Sequence, residues 1–157
     1  SRDRRVSQPP PLSTREGLSR LKDGTFTNFT PENGFPSRNP RALCEDREGT
    51  LWIGTYGDGL IRYQDGVFTA VTTADGLYEN VVSAIVPDNS GNLWMSGNRG
   101  IARVRWEALD AFVEGRRTNV PAVGYGAAAG LKKPEANGGF QPAAMTDWQG
   151  RLWFPTL

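Results

Sequence analysis

The chain has 157 residues, 18 Lys and Arg against 17 Asp and Glu, a net charge of +1 and 38% hydrophobic residues. That balance leaves no basic footprint for nucleic acid, and no apolar run approaches the length of a membrane-spanning helix or a secretion signal. The chain has no His, which removes His-based triads, imidazole metal ligands and the commonest general base.

In chain order, residues 1–14 form an irregular segment. Arg2, Arg4 and Arg5 make a small basic cluster that reads as a solvated terminus, and Pro9, Pro10 and Pro11 cannot occupy an internal strand because they lack ladder donors. Residues 15–33 are expected to hold two short strands separated by Asp23-Gly24. Residues 34–75 contain four short runs, at 41–46, 51–55, 60–63 and 67–71, rich in Val, Ile, Trp, Tyr, Phe and Thr and separated by Gly or Asp turns. Residues 76–105 carry three more such runs. The next segment, 106–139, is expected to be an insertion: Trp106, Leu109 and Val113 fall at helical spacing and Gly115 supplies a stop, so a helix of two turns on the rim precedes a Gly-rich loop. Residues 140–157 read as the start of a further strand unit that is cut short.

These units repeat. Asp46, Gly49 and Trp52 lie over Asp88, Gly91 and Trp94 at an offset of 42 (88 − 46), and the same offset carries Asp23-Gly24 onto Asp65-Gly66, Gly34 onto Gly76, and Leu43 onto Ile85. A third copy, Asp147, Gly150 and Trp153, follows 59 residues after the second (153 − 94), which implies 17 inserted residues (59 − 42). Four-strand units at this period, with no sustained helical periodicity, predict an all-β chain: a β-propeller fragment of antiparallel blades with one short helical insertion.

The D-x-x-G turn has a physical reading. The Asp carboxylate accepts a backbone N–H two residues on, and the Gly takes the positive φ that closes the hairpin. The Trp that follows is expected as inter-blade core, its indole N–H in need of a partner. Gly54, Gly57 and Gly59 are expected to relax the backbone for the returning strand. The carboxylates Asp46, Glu48 and Asp88 lack the ligand spacing of an EF-hand loop, so turn-capping outweighs metal binding. Cys44, the single cysteine, is expected as a buried free thiol on an innermost strand, unable to form an internal disulfide.

The runs EDREGTLWIGTYGDGLIRY and DNSGNLWMSGNRGIARV, with DGVFTAVTTADGL between them, resemble the two-component-regulator propeller repeat of bacterial histidine kinase and hybrid sensor regions. The resemblance implies an extracytoplasmic, periplasmic or extracellular, ligand-sensing part of a signal-transduction receptor, with a small-molecule or glycan ligand and no cofactor. It implies partners within a parent chain, namely the remaining blades and a membrane-proximal β-sandwich, and a receptor dimer. Any histidine kinase or diguanylate cyclase domain is expected elsewhere in that parent chain, with no catalytic residue here. Two alternatives stand beside it: a fragment of a propeller lyase of the streptogramin-lyase type, whose similar blades carry a His base and a divalent ion, and a non-catalytic interaction scaffold.

Ligand residues are expected on the face where the loops that join blades meet the loops between second and third strands, at 35–39, 77–80, 56–58 and 98–99. There Arg38, Tyr56, Asp58, Tyr78 and Arg99 offer stacking and hydrogen-bonding groups.

Overall fold

The structure, a computed structural model, describes residues 17–136 and 143–156. The irregular segment 1–14, with its Arg cluster and prolines, lies outside the described residues, as do Asn137, Gly138 and Gly139 of the Gly-rich loop. Strands β1 (Leu18–Lys22) and β2 (Thr25–Phe29) form a hairpin. They are followed by a four-stranded sheet of β3 (Pro40–Glu45), β4 (Leu51–Thr55), β5 (Leu60–Gln64) and β6 (Val67–Val71), paired in sequence order and antiparallel throughout.

A second four-stranded sheet contains β7 (Ala84–Pro87), β8 (Asn92–Ser96) and β9 (Ile101–Arg105), then helix α1 (Trp106–Val113), then β10 (Val123–Tyr125). A short hairpin of β11 (Met145–Thr146) and β12 (Leu152–Trp153) follows. The sequential antiparallel order within each sheet is that of propeller blades, and β3 lies against β7, the inner strands of neighbouring blades.

Local chemistry sets the hairpins. β1–β2 and β5–β6 are joined by two-residue turns, with Lys22 opposite Thr25 and Gln64 opposite Val67. Both turns are Asp-Gly, and Asp23 and Asp65 take φ of 52° and 51° ahead of Gly24 and Gly66. A type I′ turn asks for positive φ at both positions, and it matches the twist of the strands it connects.

Side-chain alternation then sends each blade's two faces to different neighbours. Trp52 and Leu60 join Val82, Ile85, Leu93, Met95 and Val104 in one core between the two full blades. Ile53 and Ile61, on the opposite face, join Leu18 and Phe35 in a second core against the β1–β2 hairpin. There Phe29 meets Tyr63 at 5.5 Å between ring centroids, and Phe35 meets Phe68 at 5.2 Å.

Four sequence expectations need correction. The segment 106–139 is more than an insertion: β10 inside it pairs with β9 and supplies the second blade's fourth strand. The repeat shows where the extra residues sit. Gly76 and Gly130 each close a 3₁₀ turn in the left-handed conformation, 54 residues apart (130 − 76). So 12 of the 17 inserted residues precede β10 (54 − 42) and 5 follow it (59 − 54). The 12 make room for the eight-residue α1, the helix that the spacing of Trp106, Leu109 and Val113 predicts.

The helix also does not sit as a rim decoration. Leu109 is fully buried in the core shared by both blades, and the Trp106 ring lies 5.6 Å from that of Trp52. It seals the seam at the end where Trp106 N–H meets Gly91 O.

Gly54 does not serve to loosen the backbone. A Cβ there would lie 2.5 Å from the Val82 carbonyl oxygen, and next to it Val82 N–H donates to Thr55 O at 2.7 Å. Glycine lets the second blade's backbone cross the first at hydrogen-bonding distance. Cys44, expected to be buried, is only half-buried on β3; desolvation, then Asp46 and Glu45, raise its pKa.

Candidate functional site

The repeated Asp builds a clasp that is the same in all three copies. One carboxylate oxygen of Asp46 accepts the N–H groups of Glu48 and Thr50, both at 2.9 Å, and the other accepts the Trp52 indole N–H at 3.0 Å. Asp88 does the same for Ser90, Asn92 and Trp94, at 2.8, 2.9 and 2.8 Å. Asp147 holds Gln149, Arg151 and Trp153 at 2.9, 3.0 and 2.9 Å. Gly49, Gly91 and Gly150 take φ of 79°, 84° and 79°.

The partner that the indole requires is therefore the turn's own Asp, which ties residue i to i+6. Electrostatics follow from the geometry. The Trp153 hydrogen bond above all holds the Asp147 carboxyl down at about 2, against desolvation and with help from the Arg151 side chain and the backbone N–H groups of Arg151 and Gln149. At Asp88 burial pushes upward, but the bonds from Trp94 and Asn92 together win and the pKa is lowered.

On the loop face, the five candidate residues fall into local pairs rather than one constellation. Arg99 lies over the Tyr78 ring, 4.7 Å from its centroid, and its guanidinium donates to Tyr78 O at 3.0 Å. Gly124 leaves room for that ring, since a Cβ there would come within 2.1 Å of it. Arg38 pairs with Glu32 at 2.9 Å on an exposed surface. Tyr56, which is 44% exposed, has Arg41 above its ring at 5.2 Å and bridges to Val81 through the backbone. Asp58 accepts the Ser37 hydroxyl at 2.7 Å, so it is spent on joining two loops of its own blade.

That last pairing exposes a residue that motif reading missed. Glu79 stands 42 positions after Ser37, and its two carboxylate oxygens accept the N–H groups of Asn98 at 3.1 Å and Arg99 at 2.9 Å. In the first blade the corresponding loop is held differently: Asp58 N–H donates to Thr55 Oγ1 at 3.0 Å, and Thr55 Oγ1 donates to Gly59 O at 2.7 Å. Gly97 replaces Thr55 in the second blade. A Cβ at Gly97 would lie 2.4 Å from Glu79 Oε1, so the carboxylate fills the space that the threonine side chain takes one blade earlier. The paired exchange of Ser37 for Glu79 and Thr55 for Gly97 was visible in the aligned repeats as two departures. Burial raises the Glu79 pKa, and the two backbone bonds and the Arg99 charge offset only part of that.

The opposite end of the seam holds a cleft of about 340 Å³ between the two Asp turns, with Trp106 beside it. Its charges are mostly acidic: Glu45, Asp46, Glu48, Asp88 and Asp110 against Arg47. Burial, then Asp46 and Glu48, raise the pKa of Asp110. Among the described residues no group of three His, Cys, Asp or Glu is placed to hold a metal ion.

Comparison with known proteins places this geometry. Two crystal structures of the extracellular domain of BT4673 from B. thetaiotaomicron, one named for a hybrid two component system and the other for a one component system, superpose with a TM-score of 0.61. Each is 20% identical to this chain, over 92% of it and 20% of the neighbour. The chain thus spans about a fifth of the length of those structures, and at this identity the likeness establishes the fold. No curated protein matches the sequence. The family model described as two component regulator propeller matches residues 34–57 and 75–99, the segments that contain both interblade loops and the first two Asp–Trp clasps. Those two segments are of the two-component regulator propeller repeat type.

Proposed function

We propose that the chain is the ligand-sensing propeller part of a bacterial signal-transduction receptor, lying outside the cytoplasm, and that its ligand is a small polar molecule of the carbohydrate class. One observation carries the reading. The Tyr78–Arg99 stack stands where an interblade loop meets a second-to-third-strand loop, an aromatic and cationic pair whose Arg99 backbone N–H is held by the Glu79 carboxylate. Sugars are bound by such combinations of a flat apolar face and oriented donors. The repeat family and the extracellular neighbours support the receptor setting.

The role is binding rather than turnover: the loop face offers no His, and its carboxylates Asp58 and Glu79 are engaged in holding loops. Output domains, further blades, a β-sandwich and a dimer partner belong to the parent receptor in this reading.

Calorimetric titration of the parent ectodomain with a panel of neutral and acidic oligosaccharides tests it, with Tyr78→Ala and Arg99→Ala alongside. Saturable heat that both variants weaken about tenfold or more supports the reading; loss of a stacking aromatic or a charged bond is worth about 1–3 kcal/mol. Product formation during the titration would replace it with a lyase.

A further inference from the structure

We propose that Glu79 is the positioning residue of this face and makes the Gly97–Arg99 loop responsive to proton concentration. The proposal rests on reading the Tyr78–Arg99 stack as ligand-facing, yet the clasp can be tested without any ligand.

The argument starts from acceptor capacity. An ionised carboxylate accepts at both oxygens, while the neutral acid carries a hydroxyl that accepts poorly, and charge-assisted bonds are roughly twice as strong as neutral ones. Glu79 uses one oxygen for each of two successive N–H groups, those of Asn98 and Arg99. Protonation weakens both bonds at once, and with them the backbone that aims the Arg99 side chain across Tyr78.

In the first blade the carboxylate lies on the other loop, where Asp58 accepts the Ser37 hydroxyl and no backbone N–H of the equivalent loop depends on it. That loop is tied through the Thr55 hydroxyl, which does not titrate in this range. The surroundings of Glu79 favour the neutral acid. Leu77, Val82, Met95, Ser96 and Ala102 line a small cavity alongside it and are uncharged, and Arg99 and Tyr78 are the ionisable groups facing it among the described residues. Desolvation outweighs the help from Arg99, so the proton binds above the ordinary value of 4.5.

The linkage has a definite sign. A carboxyl whose folded pKa lies above its unfolded value costs stability as pH rises through the folded pKa, and that cost is absent below the unfolded one. That cost refers to global unfolding, which returns Glu79 to water. Opening of the Gly97–Arg99 loop alone removes the two hydrogen bonds and leaves the carboxyl against Leu77, Val82 and Met95, so the opened loop holds the proton more tightly than the clasped one and ionisation favours the clasp.

Hydrogen exchange of the Asn98 and Arg99 amides, expressed as protection factors over about pH 4 to 8, tests the proposal in the intact protein. Wild type is expected to gain roughly threefold to tenfold protection at both amides as pH rises, with a midpoint above 4.5. Glu79→Gln should hold both amides at the low-pH level throughout. The Asp58 amide, tied to Thr55, serves as the reference within the same sample and should stay flat. A wild-type profile without a step, or a step that survives in Glu79→Gln, overturns the proposal. If Glu79→Gln does not fold, Gly97→Ala applies the same test from the other side: it crowds the carboxylate and should lower protection at neutral pH. Failure of every oligosaccharide to bind would remove the ligand reading and leave these profiles unchanged.

Discussion

Trp52 and Trp153 occupy the same place in the same motif, each bonded through its indole N–H to the Asp six residues before it, at 3.0 and 2.9 Å. Trp52 is 0% exposed, whereas Trp153 is 54% exposed. Local geometry does not distinguish them, because turn, positive-φ glycine and clasp are alike. What differs is the covering surface. The second blade and α1 close over Trp52, with Trp106 5.6 Å from its ring, while the β11–β12 hairpin has Arg151 over Trp153 at 5.6 Å. Trp94 is intermediate, half-buried beside Tyr125 at 5.6 Å. The motif therefore encodes a clasp, and the adjoining blade converts the clasped indole into core.

That separation can be broken at several points, with effects of decreasing size. Trp52→Ala removes a fully buried aromatic and should lower stability by about 3–5 kcal/mol in denaturant melts. Trp94→Ala, which the sequence alone would rank as its equal, should cost distinctly less because part of that surface is already exposed to water. Gly54→Ala should cost about 1–3 kcal/mol, since its Cβ would press on the Val82 carbonyl, a backbone atom that cannot swing away. An unchanged melt for Gly54→Ala would mean that the blades are more loosely seated than the Val82–Thr55 bond indicates.

Trp153→Ala should fall within about 1 kcal/mol, the loss of one exposed clasp bond. The smallest effect is that of pH on this clasp. Asp147 is depressed from 3.8 to about 2, so its contribution is fully present above the unfolded value and disappears as pH falls from about 4 through about 2. A titration followed at the Trp153 indole N–H should show that step, and Asp147→Asn should abolish it.

The sequence made the blades legible because turn chemistry recurs: Asp46, Asp88 and Asp147 stand at fixed distances before Gly and Trp, and Asp-Gly pairs mark the hairpins. It hid β10, since Val123-Gly124-Tyr125 is three residues long and its register is displaced by the 12 residues that include α1. It misread Gly54, because a glycine required by a neighbouring blade's backbone looks the same in sequence as one required by a turn. On the loop face, Tyr78 and Arg99 could be named from residue type and loop position. Their stacking could not, because it depends on the space left by Gly124 and on the Glu79 clasp, which pairs residues about 20 positions apart. The exchange of Ser37 for Glu79 together with Thr55 for Gly97 was readable in principle, as two departures from the repeat that compensate each other in space.

The central claim is that one motif supplies the same clasp three times and that neighbouring structure alone decides its burial. Hydrogen exchange at the three clasped indole N–H groups, resolved in one set of amide spectra, tests it most directly. The account predicts protection in the order Trp52, Trp94, Trp153, with Trp52 exchanging only by opening of the interblade core and Trp153 by local fraying of its hairpin. Equal protection at all three would contradict it, for it would place the strength of the motif in the Asp–Trp bond and not in the blade that packs against it.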